Sequence, residues 1–200
     1  RVGLRQVLAM VAEFRLRDDK TPVLLMGYCN PIEAMGYETF TKAAAVAGID
    51  AVLTVDMPPE EVGEFGNMLA AVNIDNVLLV SLTTSHERMK HIVASARGFI
   101  YFVSLKGVTG AGNLDVSAVA KACAQLRDLS DLPIGVGFGI KDVNSAMAIG
   151  VEADAVVVGS ALVDRMANID LSLPLGSMLA EAASLIGDIR AGLDGVEQAE

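Results

Sequence analysis

The segment Ile134–Ala161, with the sequence IGVGFGIKDVNSAMAIGVEADAVVVGSA, holds a complete strand–helix–strand unit. Two apolar runs, Ile134–Val136 and Ala155–Val158, flank a stretch with helical spacing of apolar residues at Asn144–Ile149. Both runs are continuous rather than alternating, which is typical of strands buried on both faces of a parallel sheet. The segment therefore predicts a βαβ unit, and Gly159-Ser160 predicts the start of a further short helix over Ala161–Met166.

The same alternation recurs along the rest of the chain. Four earlier apolar runs predict strands, at Val23–Met26, Ala51–Leu53, Asn76–Val80 and Phe99–Val103. Stretches with helical spacing lie between these runs, at Tyr37–Ala47, Pro59–Val72, His86–Ala96 and Val116–Leu129. An amphipathic helix with Leu4, Val7, Leu8, Val11 and Phe14 precedes the first strand, and a final helix is predicted from about Pro174 to Leu193. Repeated βα units of this kind imply parallel strands joined by right-handed crossovers.

Six βα units behind a helix that has no strand before it fit two architectures. A doubly wound open sheet accepts six strands, whereas a (β/α)8 TIM barrel needs eight strands and typically about 250 residues. The orphan first helix favours the barrel, short by about two units. We therefore expect an α/β fold with residues 1–200 as a single, incomplete TIM-barrel domain whose first two strands are absent.

Composition excludes several functional classes. The net charge of −10 and the pI near 4.6 argue against binding to nucleic acid or to anionic membranes. No apolar run is long enough for a transmembrane helix, and the N-terminus does not resemble a secretory signal. The two cysteines form no disulfide framework, and the absence of a Cys/His cluster predicts no metal site. We expect a cytoplasmic protein.

Glycine turns follow three of the predicted strands, where ligands gather in both architectures. They are Gly107-Val108-Thr109-Gly110-Ala111-Gly112, Gly137-Phe138-Gly139 and Gly159-Ser160. Backbone N–H groups approach an anion closely where Cβ is absent, and a helix N-terminus adds partial positive charge. Each pair of glycines alone is also explained by a tight turn. Together, with few basic residues and no GxxxxGK[ST] motif, they favour backbone capture of a phosphate-bearing small molecule.

Other polar and aromatic residues near strand ends leave two readings open. Asp56 precedes a Pro-Pro turn and is either a site or interface residue or a simple cap. Tyr28 and Tyr101 suit a pocket for a flat apolar group, or the rim of the core. Cys29 is more simply explained as a packed side chain, and His86 and His91 as surface residues on one helix.

At these residues the chain resembles the tryptophan synthase alpha subunit family. The resemblance rests on Pro22–Pro31, Asp56–Glu61, Gly98–Tyr101, Gly107–Gly110, Gly137–Ile140 and Val158–Ala161, in order along essentially the whole chain. It implies a (β/α)8 barrel that cleaves indole-3-glycerol phosphate to indole and glyceraldehyde 3-phosphate. It also implies a complex with a beta subunit, as an alpha2beta2 tetramer, in which pyridoxal phosphate belongs to the beta subunit and this subunit has no cofactor.

The resemblance assigns roles to individual residues. It implies a phosphate cradle formed by Gly110, Gly139, Gly159 and Ser160. It places Phe138 beside the indole ring, Tyr28 and Tyr101 in the same pocket, and Thr109 in a loop that closes over the substrate. Asp56 and Pro58 would face the beta subunit.

Departures from the family pattern concern the catalysis itself. The family's catalytic Glu and Asp lie in a segment with a Pro-Phe-Ser-Asp-Pro type motif, which this chain lacks. Carbon–carbon cleavage needs an acid at indole C3 and a carboxylate for the ring N–H proton. We therefore expect no catalytic carboxylate in this chain and no turnover by it alone. Smaller departures are Cys29, and Lys141 where Ser or Thr often caps a helix, a role that Asp142 could fill.

Three interpretations follow from the sequence. The first is an alpha subunit whose N-terminal quarter lies outside this sequence. The second is a catalytically silent form that binds a phosphate ligand and the beta subunit. The third is another phosphate-sugar barrel enzyme, such as an epimerase or isomerase.

Overall fold

A computed structural model describes residues 2–104 and 115–197. Within these residues, the structure contains nine helices and seven strands. The helices are α1 (Leu4–Arg15), α2 (Asn30–Met35), α3 (Tyr37–Ala47), α4 (Pro59–Ala71), α5 (His86–Ser95), α6 (Val116–Arg127), α7 (Val143–Gly150), α8 (Ser160–Ala167) and α9 (Leu175–Glu197). The strands are β1 (Leu24–Gly27), β2 (Ala51–Thr54), β3 (Asp75–Asn76), β4 (Leu78–Ser81), β5 (Ile100–Val103), β6 (Ile134–Gly137) and β7 (Ala155–Val157).

The strands form two sheets, with the order β1-β2-β3 in the first and β4-β5-β6-β7 in the second. In the first sheet, β1 and β3 both pair in parallel with β2. In the second sheet, β6 and β7 are parallel, and Gly137 lies opposite Val157. The predicted parallel α/β fold is confirmed, and the carboxyl ends of neighbouring strands bring their following turns to one edge.

One predicted strand is divided in the structure. The run Asn76–Val80 was expected to form a single strand, but β3 ends at Asn76 and β4 begins at Leu78. The two halves belong to different sheets, because Asn76 pairs with Val52 of β2 while β4 lies beside β5. A continuous apolar run carries no signal for this change of partner, so the sequence could not locate it.

The chain divides into two compact units. The first contains the described residues of Arg1–Leu79 and Glu87–Ile100, and the second contains those of Val80–His86 and Tyr101–Glu200. In the first unit, Phe40, Leu53 and Leu69 are fully buried. In the second unit, the fully buried side chains include Phe102, Leu126, Ile134 and Ile149. Burial of each such side chain contributes about 1.5–3 kcal/mol before the entropy cost of ordering it.

Arg15 anchors α1 to the start of the first sheet. Its guanidinium lies 2.5 Å from a carboxylate oxygen of Asp50 and donates to the carbonyl of Gly48 at 2.8 Å. The same Asp50 oxygen accepts the N–H of Val23 at 2.6 Å, directly before β1. These contacts fix the level at which β1 enters the sheet, and so where the turn after β1 lies.

The outer strand β7 borders a cavity in the second unit. The cavity has a volume of about 450 Å³, lies between β7 and α9, and is lined mainly by apolar side chains, among them Val156, Ile189 and Leu193. Among the described residues, its lining includes none of the predicted phosphate-binding glycines. Volume alone therefore does not identify the ligand site. No helix within residues 2–104 and 115–197 is long and apolar enough to cross a membrane.

Candidate functional site

Two aromatic rings, one on β5 and one in the turn after β6, meet in the second unit. The ring centroids of Tyr101 and Phe138 lie 6.3 Å apart at an interplanar angle of 83°, an edge-to-face contact. Tyr101 is 6% exposed, whereas Phe138 is half-buried and keeps one side accessible. Burial raises the pKa of the Tyr101 phenol, so its hydroxyl stays protonated at neutral pH. The pair can present an apolar wall to a flat ring.

The backbone of the turn after β6 is unusual. Phe138 has a φ of 73° and Gly139 a φ of 84°, and both lie in the left-handed region. That conformation is ordinary for glycine but costs a residue with a Cβ about 1–2 kcal/mol. The Ser104 hydroxyl donates to the carbonyl of Gly137 at 2.7 Å and also contacts the carbonyl of Phe138. Ser104 therefore stabilises the turn from the end of the neighbouring strand.

Gly137 lies directly under Tyr101. A Cβ built on Gly137 would overlap the Tyr101 hydroxyl oxygen, so only glycine fits there without displacing the ring. The close approach brings the backbone of the turn against the phenol. The glycine turn and the aromatic pair are thus one packed structure.

The third glycine turn opens helix α8. Gly159 is its N-cap, and the Gly159 carbonyl accepts the N–H groups of Leu162 and Val163 at 3.0 and 3.2 Å. N–H groups in the first turn of a helix have no partner within the helix and are suited to an anion. A Cβ built on Gly159 would meet no atom within 4 Å, and both Gly159 and Ser160 are exposed. The space in front of this turn is open.

Two charged side chains near these turns, Arg165 and Asp142, are already engaged. The Arg165 guanidinium of α8 donates to the Glu181 carbonyl and to the Ser184 hydroxyl, each at 2.7 Å. Asp142 caps α7 by accepting the Ser145 N–H at 2.8 Å, which confirms the capping role that the sequence suggested. These bonds from Ser145 hold the pKa of Asp142 below its usual range, so it is ionised at neutral pH. An ionised, capped carboxylate is a poor proton donor.

In the first unit, a hydrogen bond ties together the turns after β1 and β2. Asp56 accepts the backbone N–H of Cys29 at 2.7 Å. Tyr28, the residue before Cys29, is 67% exposed, and Asp56 is also exposed. Pro58 is the N-cap of α4, so the Pro-Pro turn fixes the loop that carries Asp56. Asp56 therefore has a structural role within the chain, because it connects the turns after β1 and β2.

Cys29 is a packed side chain, as expected. It is buried, and its Sγ lies 3.3 Å from the Tyr37 hydroxyl, which donates to Glu33 at 3.2 Å. His86 and His91 are exposed, in line with the expected surface role. No group of three potential metal-binding side chains occurs in the part of the chain that the structure describes.

The predicted site residues fall into two sets. Tyr101, Phe138, Gly139, Gly159 and Ser160 lie in the second unit, and Tyr28, Asp56 and Pro58 in the first. Thr109 and Gly110 lie outside the described residues. Sequence analysis assigned no role in the site to Ser104, and it named Gly137 only as part of the glycine turn that follows its strand. The available signal was a lone Ser at the end of an apolar run, immediately before a glycine-rich segment.

Comparisons with known proteins agree with this geometry. Residues 1–183 match the family model of the tryptophan synthase alpha chain. The tryptophan synthase alpha chain of Thiobacillus denitrificans is 50% identical over 194 residues, which is 97% of this chain and 70% of that protein. The alpha chain of Chromobacterium violaceum is 57% identical over 166 residues, which is 83% of this chain and 63% of that protein.

Solved structures show the same relationship. The alpha chain of Legionella pneumophila superposes with a TM-score of 0.82 at 35% identity, covering 98% of this chain and 71% of that one. A structure of tryptophan synthase from Mycobacterium tuberculosis has a TM-score of 0.82 at 31% identity, over 96% of this chain and 69% of that one. These neighbours are TIM barrels, so the fold is the expected α/β barrel class. The chain spans about 70% of their length.

The family match covers more than half of the chain and rules out the expected third alternative, an epimerase or isomerase of another barrel family. The chain belongs to the tryptophan synthase alpha chain family, whose alpha subunit catalyses the cleavage of indole-3-glycerol phosphate in tryptophan biosynthesis.

Proposed function

We propose that this chain binds indole-3-glycerol phosphate across the carboxyl ends of its strands. The phosphate is held by backbone N–H groups of Gly110, Gly139 and Gly159 and by Ser160. The indole ring lies against Phe138 and beside Tyr101, and the resemblance to the family also assigns Tyr28 and Thr109 to substrate binding. The edge-to-face pair of Tyr101 and Phe138 beside a left-handed glycine turn carries this proposal, because it joins an apolar wall to an anion-binding backbone.

The proposal assigns substrate binding, and not catalysis, to these 200 residues. The Pro-Phe-Ser-Asp-Pro type motif that accompanies the family's catalytic Glu and Asp does not occur in them. Asp142 does not replace those carboxylates, because it is engaged in the α7 cap. The chain by itself binds the substrate without cleaving it.

Asp56 and Pro58 face a beta subunit in this proposal, in an alpha2beta2 complex. The exposed Asp56 carboxylate and the rigid Pro-Pro turn support it, because a fixed loop loses little entropy when a partner binds. No cofactor is needed in this chain, and pyridoxal phosphate belongs to the beta subunit. The cytoplasmic location remains a prediction from charge and cysteine use.

Calorimetric titration with indole-3-propanol phosphate, a substrate analogue that cannot be cleaved, tests the binding step. We expect saturable binding at one site. Gly159→Val places a branched side chain in the open space before α8. This substitution should lower the affinity for the analogue at least tenfold. Gly187→Ala, on the exposed face of α9, is the matched control and should bind as the parent does. Equal affinity in all three proteins, or no binding at millimolar analogue, contradicts the proposal.

The second candidate function is that of a catalytically silent binding module. It differs from the first in that the protein in its source cells binds the phosphate ligand and the beta subunit but does not cleave the substrate. If the chain is natural at 20.9 kDa, it acts only by occupying the beta subunit and holding the phosphate ligand. The intact mass of the protein from its source cells distinguishes the two. A mass of roughly 27 kDa, as expected for about 250 residues, indicates the ordinary enzyme.

A further inference from the structure

Ser104 is a buried polar residue whose two donors both point at the same turn. It is 1% exposed and follows directly after β5. Its backbone N–H donates to the Gly137 carbonyl at 3.1 Å, and its hydroxyl donates to that carbonyl at 2.7 Å. The hydroxyl also contacts the carbonyl of Phe138. A serine hydroxyl has one proton, so these two carbonyls share it in a three-centre bond.

The turn that Ser104 contacts has a backbone conformation that is unfavourable for its non-glycine residue. Phe138 has a positive φ of 73°, which residues with a Cβ rarely adopt. Such a conformation persists only where surrounding contacts determine it, and residues of this kind cluster at ligand sites. Within the described residues, Asn73 is the other non-glycine residue with a positive φ, and it lies in the turn after α4. Phe138 therefore stands out at the end of β6.

Tyr101 provides the opposing surface. Its hydroxyl lies against the backbone of Gly137, and its ring is nearly perpendicular to that of Phe138. Tyr101 limits where the ring of Phe138 can go, but it makes no hydrogen bond that would fix the two carbonyls in the part of the chain that the structure describes. The Gly137 carbonyl is held by both the N–H and the hydroxyl of Ser104, whereas the Phe138 carbonyl is held by the hydroxyl. Tyr101 therefore restricts the turn sterically, whereas Ser104 restricts it by hydrogen bonding.

We propose that Ser104 is a positioning residue for substrate binding. Its hydroxyl fixes the carbonyl of Phe138 and reinforces the backbone bond to the carbonyl of Gly137, and so holds the Phe138 ring and the Gly139 backbone in their binding conformation. This proposal rests on the proposed function, because it takes Phe138 and Gly139 to be in the substrate site. Ser104 touches neither the ring nor the phosphate, and acts only through the turn.

A packing role for Ser104 makes a different prediction from a hydrogen-bonding role. Threonine and valine have nearly the same shape, but only threonine carries a hydroxyl. If Ser104 only fills space, Ser104→Thr and Ser104→Val should bind the analogue equally. If the hydroxyl sets the turn, Ser104→Thr should bind the analogue more tightly than Ser104→Val. This comparison separates the two roles even if the alanine variant folds poorly.

The experiment measures the affinity for indole-3-propanol phosphate and the conformation of Phe138 in the same proteins. Calorimetry gives the dissociation constant, and NMR gives the strength of the intraresidue contact between the Phe138 N–H and Hα, which is strong at a positive φ and weaker at a negative φ. We expect Ser104→Ala to weaken the affinity for the analogue about tenfold and to reduce this NMR contact to the strength seen at a negative φ. Cys123→Ala, in the buried face of α6, is the control for lost stability and should change neither reading.

An alanine variant within twofold of the parent in affinity, with the Phe138 contact intact, overturns the proposal. If the parent does not bind the analogue, the proposed function fails, and the NMR reading alone decides the role of Ser104. Loss of the positive φ in Ser104→Ala then still supports positioning of the turn, and its retention overturns it.

Discussion

The hydroxyl of Tyr101 rests directly on the backbone of Gly137, leaving no room for a Cβ. This contact joins β5 and β6 at the edge where the glycine turns lie. Gly137→Ala should therefore lower the free energy of unfolding by about 1–3 kcal/mol through overpacking. Tyr101→Leu removes the ring that causes the overlap. We expect Gly137→Ala to cost at least about 1 kcal/mol less in the Tyr101→Leu background, measured by urea denaturation.

Additive effects of the two substitutions would argue against this contact. Gly159→Ala is the matched control, because a Cβ at Gly159 meets no atom within 4 Å. It should change stability by less than Gly137→Ala in the parent protein, and by the same amount in the parent and Tyr101→Leu backgrounds.

Asp142 makes stability depend on pH in a defined direction. Its bonds from Ser145 lower its pKa in the folded chain relative to about 3.9 in the unfolded chain. The stabilisation is therefore fully present above pH 4 and is lost as the pH falls through the lowered pKa. Asp142→Ala should cost about 1 kcal/mol at pH 7, a typical value for a lost N-cap. Thermal melts at pH 7 and pH 3 should show the difference between the two proteins shrinking at the lower pH. An equal difference at both would contradict the role of the ionised cap.

Asp56 and Cys29 provide a test of the tie between the turns after β1 and β2. Asp56→Ala leaves the part-buried Cys29 N–H without its acceptor and should cost about 1–3 kcal/mol. Asp56→Asn keeps an acceptor oxygen and should retain most of that stability. Chemical denaturation of both variants measures the difference. Equal stability of the two variants would show that the hydrogen bond from the Cys29 N–H to Asp56 does not stabilise the fold.

The parts predicted from sequence are those with local signals. Helix α3 was predicted at Tyr37–Ala47 and is observed there, because Gly48 adopts a left-handed φ of 83° and ends it. Helix α2 at Asn30–Met35 was not predicted, since six residues containing Pro31 resemble a turn. The role of Ser104 was also missed. Its partners lie 33 and 34 positions away in sequence, a distance over which local patterns carry no information.

Turnover by the isolated chain should be at background level. No acid for indole C3 is offered by Asp142, which is ionised and bound to Ser145. The measurement is indole release from indole-3-glycerol phosphate by chain purified from a host without its own tryptophan synthase. Gly159→Val, measured in parallel, distinguishes true activity from contamination. Release that exceeds background in the parent and disappears in Gly159→Val would contradict the prediction.

The central claim is that the substrate binds at the glycine turns after β6 and β7. An NMR titration of ¹⁵N-labelled chain with indole-3-propanol phosphate tests it directly. We predict saturable shifts at the backbone amides of Phe138, Gly139, Gly159 and Ser160, and little change along α9. Shifts confined to α9 and the cavity beside β7, or no shifts at all, would contradict the assignment of the glycine turns as the substrate site.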